Sequence, residues 1–389
     1  MKDLVITGVG VITSIGSGSI AMMQRLIDGE SCFSSHRQIQ DEGHKPLVAY
    51  VEDKHLVEEI GIRALRKLDR FTLLSMQAFR QALNSAKLDS ETAHEFGLLI
   101  GNSTGGWSFV EPQMDDIYKE NYDALSPYVA TAWFPSAPQG EISILHKISG
   151  YSKTFAADAL SVGYALEHAC YLLTQDYLPG VFLGGVEAPL SPLVYNSCLR
   201  IEPLSVSDRY LPFHTQSDGY LLGEGAGFLT IESYDHVVER KKIPLARISG
   251  IGTSSTLSES IKICLDNAKK RPEDIDCILL DAKGTNDYDD DEYAALEKIF
   301  CFCENLHLTT TKTLHGSLLA ADLAVQLVIA VLSLTHQTIP RGLWSKDGHK
   351  HSSFGNLVLD KPVRKKITNI LTYARNLDGS SYVVLISLV

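Results

Sequence analysis

The chain has 389 residues, 44% apolar and 21% charged, which is ordinary globular material with ample length to bury a large core. Its 35 basic residues face 47 acidic ones, a formal charge of −12, so bulk charge gives nucleic-acid binding no footing. The cysteines are Cys32, Cys170, Cys198, Cys264, Cys277, Cys301 and Cys303, odd in number and without a C-x-x-C pair. That pattern argues against a disulfide framework and for reduced thiols in a cytoplasmic protein.

In chain order, the apolar run Leu4–Val11 reads as a first strand. Asp3 at its front and the glycines Gly8 and Gly10 within it argue against a signal peptide. Thr13 stands where a dinucleotide-binding loop would carry its third glycine, so Gly8-x-Gly10 is not expected to cradle phosphate. A helix is predicted over Leu65–Leu83, then strands at Gly97–Asn102, Val181–Gly185 and Phe228–Ile231, with a helix over Ser161–Gln175. After the polar stretch Tyr234–Pro244, strands are predicted at Leu245–Gly252, Cys277–Asp281, His307–Thr311, Ile370–Ala374 and Tyr382–Leu388. Helices at Ser258–Lys269, Glu292–Cys301 and Leu318–Leu334 separate them.

This alternation predicts an α/β fold with helices on the sheet faces. Each half holds a strand–glycine-loop–helix unit and closes on a strand pair. Two similar halves are therefore expected, 1–235 and 236–389, in one duplicated body. No run reaches the 18 or so apolar residues that span a bilayer, so no membrane insertion is expected. The acidic run Asp287–Glu292 lacks the glycine and the final glutamate of a calcium loop. His349-x-His351 has no further ligands nearby in sequence and reads as a solvated loop. No metal is expected.

Six strings carry more: VITGVGVITSIG (Val5–Gly16), GLLIGNSTGG (Gly97–Gly106), LGGVEAPLSP (Leu183–Pro192), DGYLLGEGAGFLTIE (Asp218–Glu232), DAKGT (Asp281–Thr285) and TKTLHGSLLAA (Thr311–Ala321). In this order they resemble the β-ketoacyl synthase group of the thiolase fold. The resemblance implies a five-layer αβαβα arrangement of two similar halves. It also implies a reaction run by a cysteine thiolate at a strand-to-helix turn and two histidines. The turn here reads TFAADALSVGYALEHA, which puts Ala159 in the cysteine's place. Lys283 stands in the first histidine's place and Ser317 in the second's. A methyl group carries no acyl chain, a fixed ammonium does not act as a neutral imidazole, and a serine hydroxyl is no useful acid or base near neutral pH. The chain is thus expected not to be an enzyme on its own.

Substitutes are few. Cys170 lies eleven residues past Ala159, roughly 16 Å along a helix, and recurs with Leu166, Ala169 and Leu173 at core spacing. Ser161 is two residues on, turned by about 200° from the elbow direction. His315 lies two residues from Ser317, and Lys312 keeps the family's Thr-Lys pair and is read as structural. The family's gating Gly-Phe-Gly-Gly appears as Asn376-Leu377-Asp378-Gly379.

Residues Gly105–Gly150 resemble, more narrowly, the chain-length factors of type II polyketide systems, through GGW, YVATAWF and QGEISILHKISG. These factors are non-catalytic partners of an active ketosynthase. The resemblance places Trp107, Val110 and Met114, with Trp133 and Phe134, on a substrate tunnel at the subunit interface. Spacing i, i+3, i+7 puts the first three within about 60° on one helical face, advancing roughly 10 Å. The same stripe is also what a plain core face presents, and Pro112 suits a first turn better than a helix middle.

The implied function is a chain-length factor of a heterodimeric ketosynthase making a polyketide or polyene, aryl polyenes included. It would bind no cofactor itself; an acyl carrier protein would bring the phosphopantetheine. Two other readings stay open: an acyltransferase with chemistry relocated to Ser161 or Lys283, and a homodimeric scaffold that docks carrier proteins.

Overall fold

In the computed structural model, which describes residues 3–36, 39, 45–56, 64–342, 348–350, 356–359 and 361–389, the first strand Leu4–Thr13 is buried along all ten residues. An unbroken apolar run suits a strand covered on both faces. The helix Arg70–Ala86 lies across it, its start held by Asp69, whose carboxylate accepts from Phe71 N at 3.0 Å. The glycines explain the close packing. A Cβ at Gly8 would meet Ala82 O at 2.3 Å, and one at Gly10 would meet Ala78 O at 2.0 Å. They serve helix–strand contact, not phosphate.

Among the described residues one sheet runs, in spatial order, Asn356–Leu357, His307–Thr309, Cys277–Leu279, Asn369–Arg375, Ser381–Ser387, Ala246–Ser254, Leu4–Thr13, Gly225–Ser233, Gly180–Glu187, Gly97–Gly101 and Ser152–Phe155. Gly16–Ser17 pairs with Leu4–Thr13 off this path. In the first half, Leu4–Thr13 is antiparallel to Gly225–Ser233, which is antiparallel to Gly180–Glu187; Gly97–Gly101 and Ser152–Phe155 then add in parallel. The second half repeats this with Ala246–Ser254, Ser381–Ser387, Asn369–Arg375, Cys277–Leu279 and His307–Thr309. In both, the chain order across the sheet is first, fifth, fourth, second, third. The halves join where Leu4–Ile6 pairs with Ala246–Ile248.

The helices complete five layers. Arg70–Ala86 and Ala137–His146 cover the first half's outer face, and Leu257–Ala268 with Asn286–Phe300 cover the second's. Ser161–Thr174 and Asp322–His336 lie between, in a core that takes residues from both halves. This is a thiolase-like α/β fold made of two similar halves. The window Leu319–His336 has a mean hydropathy of 1.8 over 18 residues, high enough by length and composition to span a bilayer, but 83% of it is buried inside the protein. The run is apolar because both halves of the sheet pack on it.

Element ends shift elsewhere. The helix expected from Leu65 begins at Arg70, after a 3-10 turn at Ala64–Arg66. The helix expected from Glu292 begins at Asn286, so the acidic run forms its first turns. Asp289 and Glu292 point inward there and accept backbone N–H groups of Phe213, Gly284, Asp281 and Ala282 at 2.6–2.9 Å. Tyr234–Glu239 is a short helix, and Ser152–Phe155, not anticipated as a strand, ends the sheet. His349 packs edge-on against His214 at 6.1 Å; His351 lies outside the described residues.

Candidate functional site

The strand Ser152–Phe155 turns into the helix Ser161–Thr174 at the centre of the molecule. Asp158 takes a left-handed φ of 49° in that turn, a conformation Asp adopts more readily than most residues. Ser161 fixes the bend: its Oγ donates to Asp158 O at 2.6 Å and accepts from Ala157 N at 2.9 Å. The hydroxyl is fully buried and spent on the backbone. The reading that relocates a nucleophile to Ser161 finds no support in this geometry. Cys170 is buried in the central core, where desolvation pushes its thiol up to about 12, so it packs and does not react.

Ala159 opens onto a cavity of about 590 Å³, whose wall also includes Trp107, Lys283, Leu319 and the segment Arg375–Asp378. The structure thus brings the two sequence-predicted positions Ala159 and Lys283 together on one wall. Behind the cavity, Glu187 ends its strand fully buried and accepts from Ser103 N at 2.6 Å and from the Thr104 hydroxyl. Burial raises its carboxyl to about 7, against the pull of those donors.

Ser317 is not on the cavity wall but sits one layer deeper, joined to Lys283 through ions. Lys283 Nζ lies 3.8 Å from Asp281 Oδ2; Asp281 Oδ1 accepts from Lys312 Nζ at 2.6 Å. Lys312 Nζ also lies 2.8 Å from Asp322 Oδ2, which accepts from Ser317 Oγ at 2.9 Å. Asp322 Oδ1 accepts from Leu318 N at 2.8 Å. Burial opposes charge on Asp281, but Lys283, Lys312 and Arg375 hold its pKa below the usual carboxylate range. Burial likewise opposes charge on Lys312, yet Asp281 and Asp322 raise its pKa. Lys312 is the structural residue the sequence suggested. His315 is fully buried, its Nε2 3.2 Å from Thr311 Oγ1, and burial lowers it to about 4, so it is neutral near pH 7. It is not among the residues lining the cavity.

The five residues that the resemblance places on a tunnel divide. Trp107 begins the helix Trp107–Tyr118 and faces the cavity, Val110 is buried, and Met114 is half-buried. Pro112 lies inside this helix on its exposed side, not in its first turn, and the helix continues past it. Trp133 and Phe134 are 38% and 52% exposed, stacked edge-on at 5.6 Å, with Trp107 6.2 Å from Trp133. Neither is on the cavity wall of the single chain. Sequence reasoning missed Arg375 and Cys198, both on that wall. Arg375 directly precedes the altered loop Asn376–Gly379, which was the signal for it; Cys198 carried none.

Comparison with known proteins agrees with this architecture. The model of the β-ketoacyl synthase N-terminal domain matches residues 1–236 and that of the C-terminal domain matches residues 250–344. The chain is 29% identical to the tetracenomycin polyketide synthase ketoacyl synthase beta subunit of Streptomyces glaucescens, covering 97% of this chain and 96% of that one. It is 27% identical to nodulation protein E of Rhizobium leguminosarum bv. trifolii over 87% and 88% of the two chains. The solved ishigamide ketosynthase/chain length factor superposes with a TM-score of 0.86 at 22% identity, over 100% of this chain and 99% of that chain. With two family domains matched in order and the duplicated sheet topology in place, the chain belongs to the β-ketoacyl synthase family.

Proposed function

We propose that this chain is the non-catalytic, chain-length-factor subunit of a heterodimeric β-ketoacyl-carrier-protein synthase. The observation that carries the reading is chemical: the cavity at the foot of the central helix presents a methyl group at Ala159 and an ammonium at Lys283, while Ser317 is tied to Asp322 behind it. These groups offer no covalent carrier and no proton shuttle near neutral pH. The fold is kept while its reactive positions are filled, which suits a subunit selected for shape.

Two further features support pairing with an active ketosynthase. Ser152–Phe155 ends the sheet with a neighbour on one side only, and an open edge invites another strand. Beside it stand exposed Tyr151, Tyr171 and Tyr177, and Trp133 and Phe134 are uncovered on the same half. Aromatic residues of this kind anchor interfaces. The named similarities to a ketoacyl synthase beta subunit and to a ketosynthase/chain length factor point the same way. In this reading Trp107, Val110 and Met114 close the tunnel by volume, and the growing polyketide or polyene, aryl polyenes included, arrives on a carrier protein's phosphopantetheine arm.

Co-expression with an active ketosynthase tests the proposal. A stable complex is expected, and Trp107→Ala is expected to lengthen its products. Failure to co-purify with any ketosynthase, or unchanged product lengths in the variant complex, overturns it.

A further inference from the structure

The helix Trp107–Tyr118 is weakly built by its own sequence. Its N-cap is Gly106, which has no side chain to offer the first turn. Pro112 lies inside it and has no N–H to donate to Ser108 O one turn back. The glycine is nonetheless required, since a Cβ at Gly106 would meet Ala132 O at 2.4 Å and Asp69 Cγ at 2.8 Å. Two acids hold this helix from its flanks. Asp69, 1% exposed, divides its carboxylate between two helix starts, accepting from Phe71 N at 3.0 Å and from Phe109 N at 2.7 Å. Glu111 reaches the other way, and its two oxygens accept from Leu193 N at 2.9 and 3.0 Å.

The second bond completes a helix start. The helix Pro192–Ile201 opens on a proline, which has no N–H to satisfy. Val194 N donates to Ser191 Oγ at 3.4 Å, and Tyr195 N donates to Ser191 O at 2.9 Å. Leu193 N remains, and Glu111 is its partner. A carboxylate at this end also meets the positive end of the helix dipole. Both helices furnish the cavity wall, Trp107 from one and Leu193, Val194, Ser197 and Cys198 from the other. The bond from Glu111 to Leu193 therefore ties two pieces of one wall together. A bond to a carboxylate is shorter and stronger than a neutral one. Glu111 itself is not among the residues lining the cavity.

We propose that Glu111 is a positioning residue for acyl-chain length: by holding Leu193 N it fixes the spacing of Trp107–Tyr118 and Pro192–Ile201, and so the room left for the growing chain. The proposal rests on the preceding reading of the protein as a chain-length factor. It adds the tie that keeps Trp107 where its bulk counts.

Residue-resolved hydrogen exchange on the isolated full chain tests the tie, and product analysis of the complex with a co-expressed ketosynthase tests what the tie does. Glu111→Ala should speed exchange at Leu193 N about tenfold or more, the worth of a bond to a charged group, while the amides of Arg70–Ala86 keep their rates. In the complex it should shift products to greater length. A plain structural cap would alter the yield of complex and not the lengths it makes. Glu111→Gln keeps an acceptor at the same reach and should restore both readouts. Glu111→Asp keeps the charge but falls one carbon short, and gives the answer where Glu111→Ala fails to fold. Asp115→Ala removes an exposed acid of the same helix and should change neither readout. Unchanged exchange at Leu193 N overturns the proposal, because the tie is then absent. Faster exchange with parental lengths, in a complex where Trp107→Ala does lengthen products, also overturns it and leaves the chain-length reading standing. Where Trp107→Ala changes no lengths either, that reading falls and the proposal falls with it.

Discussion

The two central helices begin in contrasting ways. Ser161–Thr174 starts beside an empty space: Ala159 shows a methyl group to the cavity, and the Ser161 hydroxyl is turned back onto the bend. Asp322–His336 starts inside a filled network, where Asp322 holds Ser317 Oγ, Leu318 N and Lys312 at once. One start leaves a methyl group beside open space, and the other has its polar groups saturated by partners.

This contrast can be broken by experiment. The largest effect is expected at the saturated start. Lys312→Met would leave Asp281 and Asp322 buried without their shared cation, and urea unfolding at neutral pH should show a loss of about 3–5 kcal/mol. A loss below about 1 kcal/mol would mean that the network is not holding the second start.

Next comes Glu187, behind the empty start. Its carboxyl is raised from 4.5 to about 7, so folding favours the protonated form. That contribution is present in full below about pH 4.5 and is lost as pH rises through about 7. Glutamine does not titrate. The stability of the unaltered chain relative to Glu187→Gln should therefore fall by about 3 kcal/mol between pH 4.5 and pH 8, read by denaturant titration at each pH. A flat difference would contradict the buried, proton-favouring site described.

The smallest effect is expected for Ser161→Ala, about 1 kcal/mol as for other lost turn and cap hydroxyls. Neither this variant nor the unaltered chain should gain mass on incubation with acyl thioesters. Acylation that disappears with Ser161 would restore the relocated-nucleophile reading.

Much of this architecture is visible in the residues themselves. The runs at Leu4–Thr13, Gly180–Glu187 and Ser381–Ser387 are apolar because both faces are covered, and periodicity finds them. Ser152–Phe155 escaped because SKTF is a half-covered edge whose partner residues lie on one side only. Ala159 and Lys283 met on one wall as the family motifs implied, since both motifs sit at strand ends that the topology brings to one point. Ser317 did not reach that wall, because Asp322, five residues on, draws its hydroxyl inward. Arg375 and Glu187 were harder to see: each is defined by partners distant in sequence, Asp291 for one and Ser103 and Thr104 for the other.

The left-handed bend at Asp158 carries a last consequence. Strained corners are commonly credited to the reaction they host, but this one has a simpler source. Its cause is local carpentry, the Ser161 hydroxyl pinning both arms of the corner. A thiol grafted at position 159 would inherit a ready-made perch and a welcoming amide field.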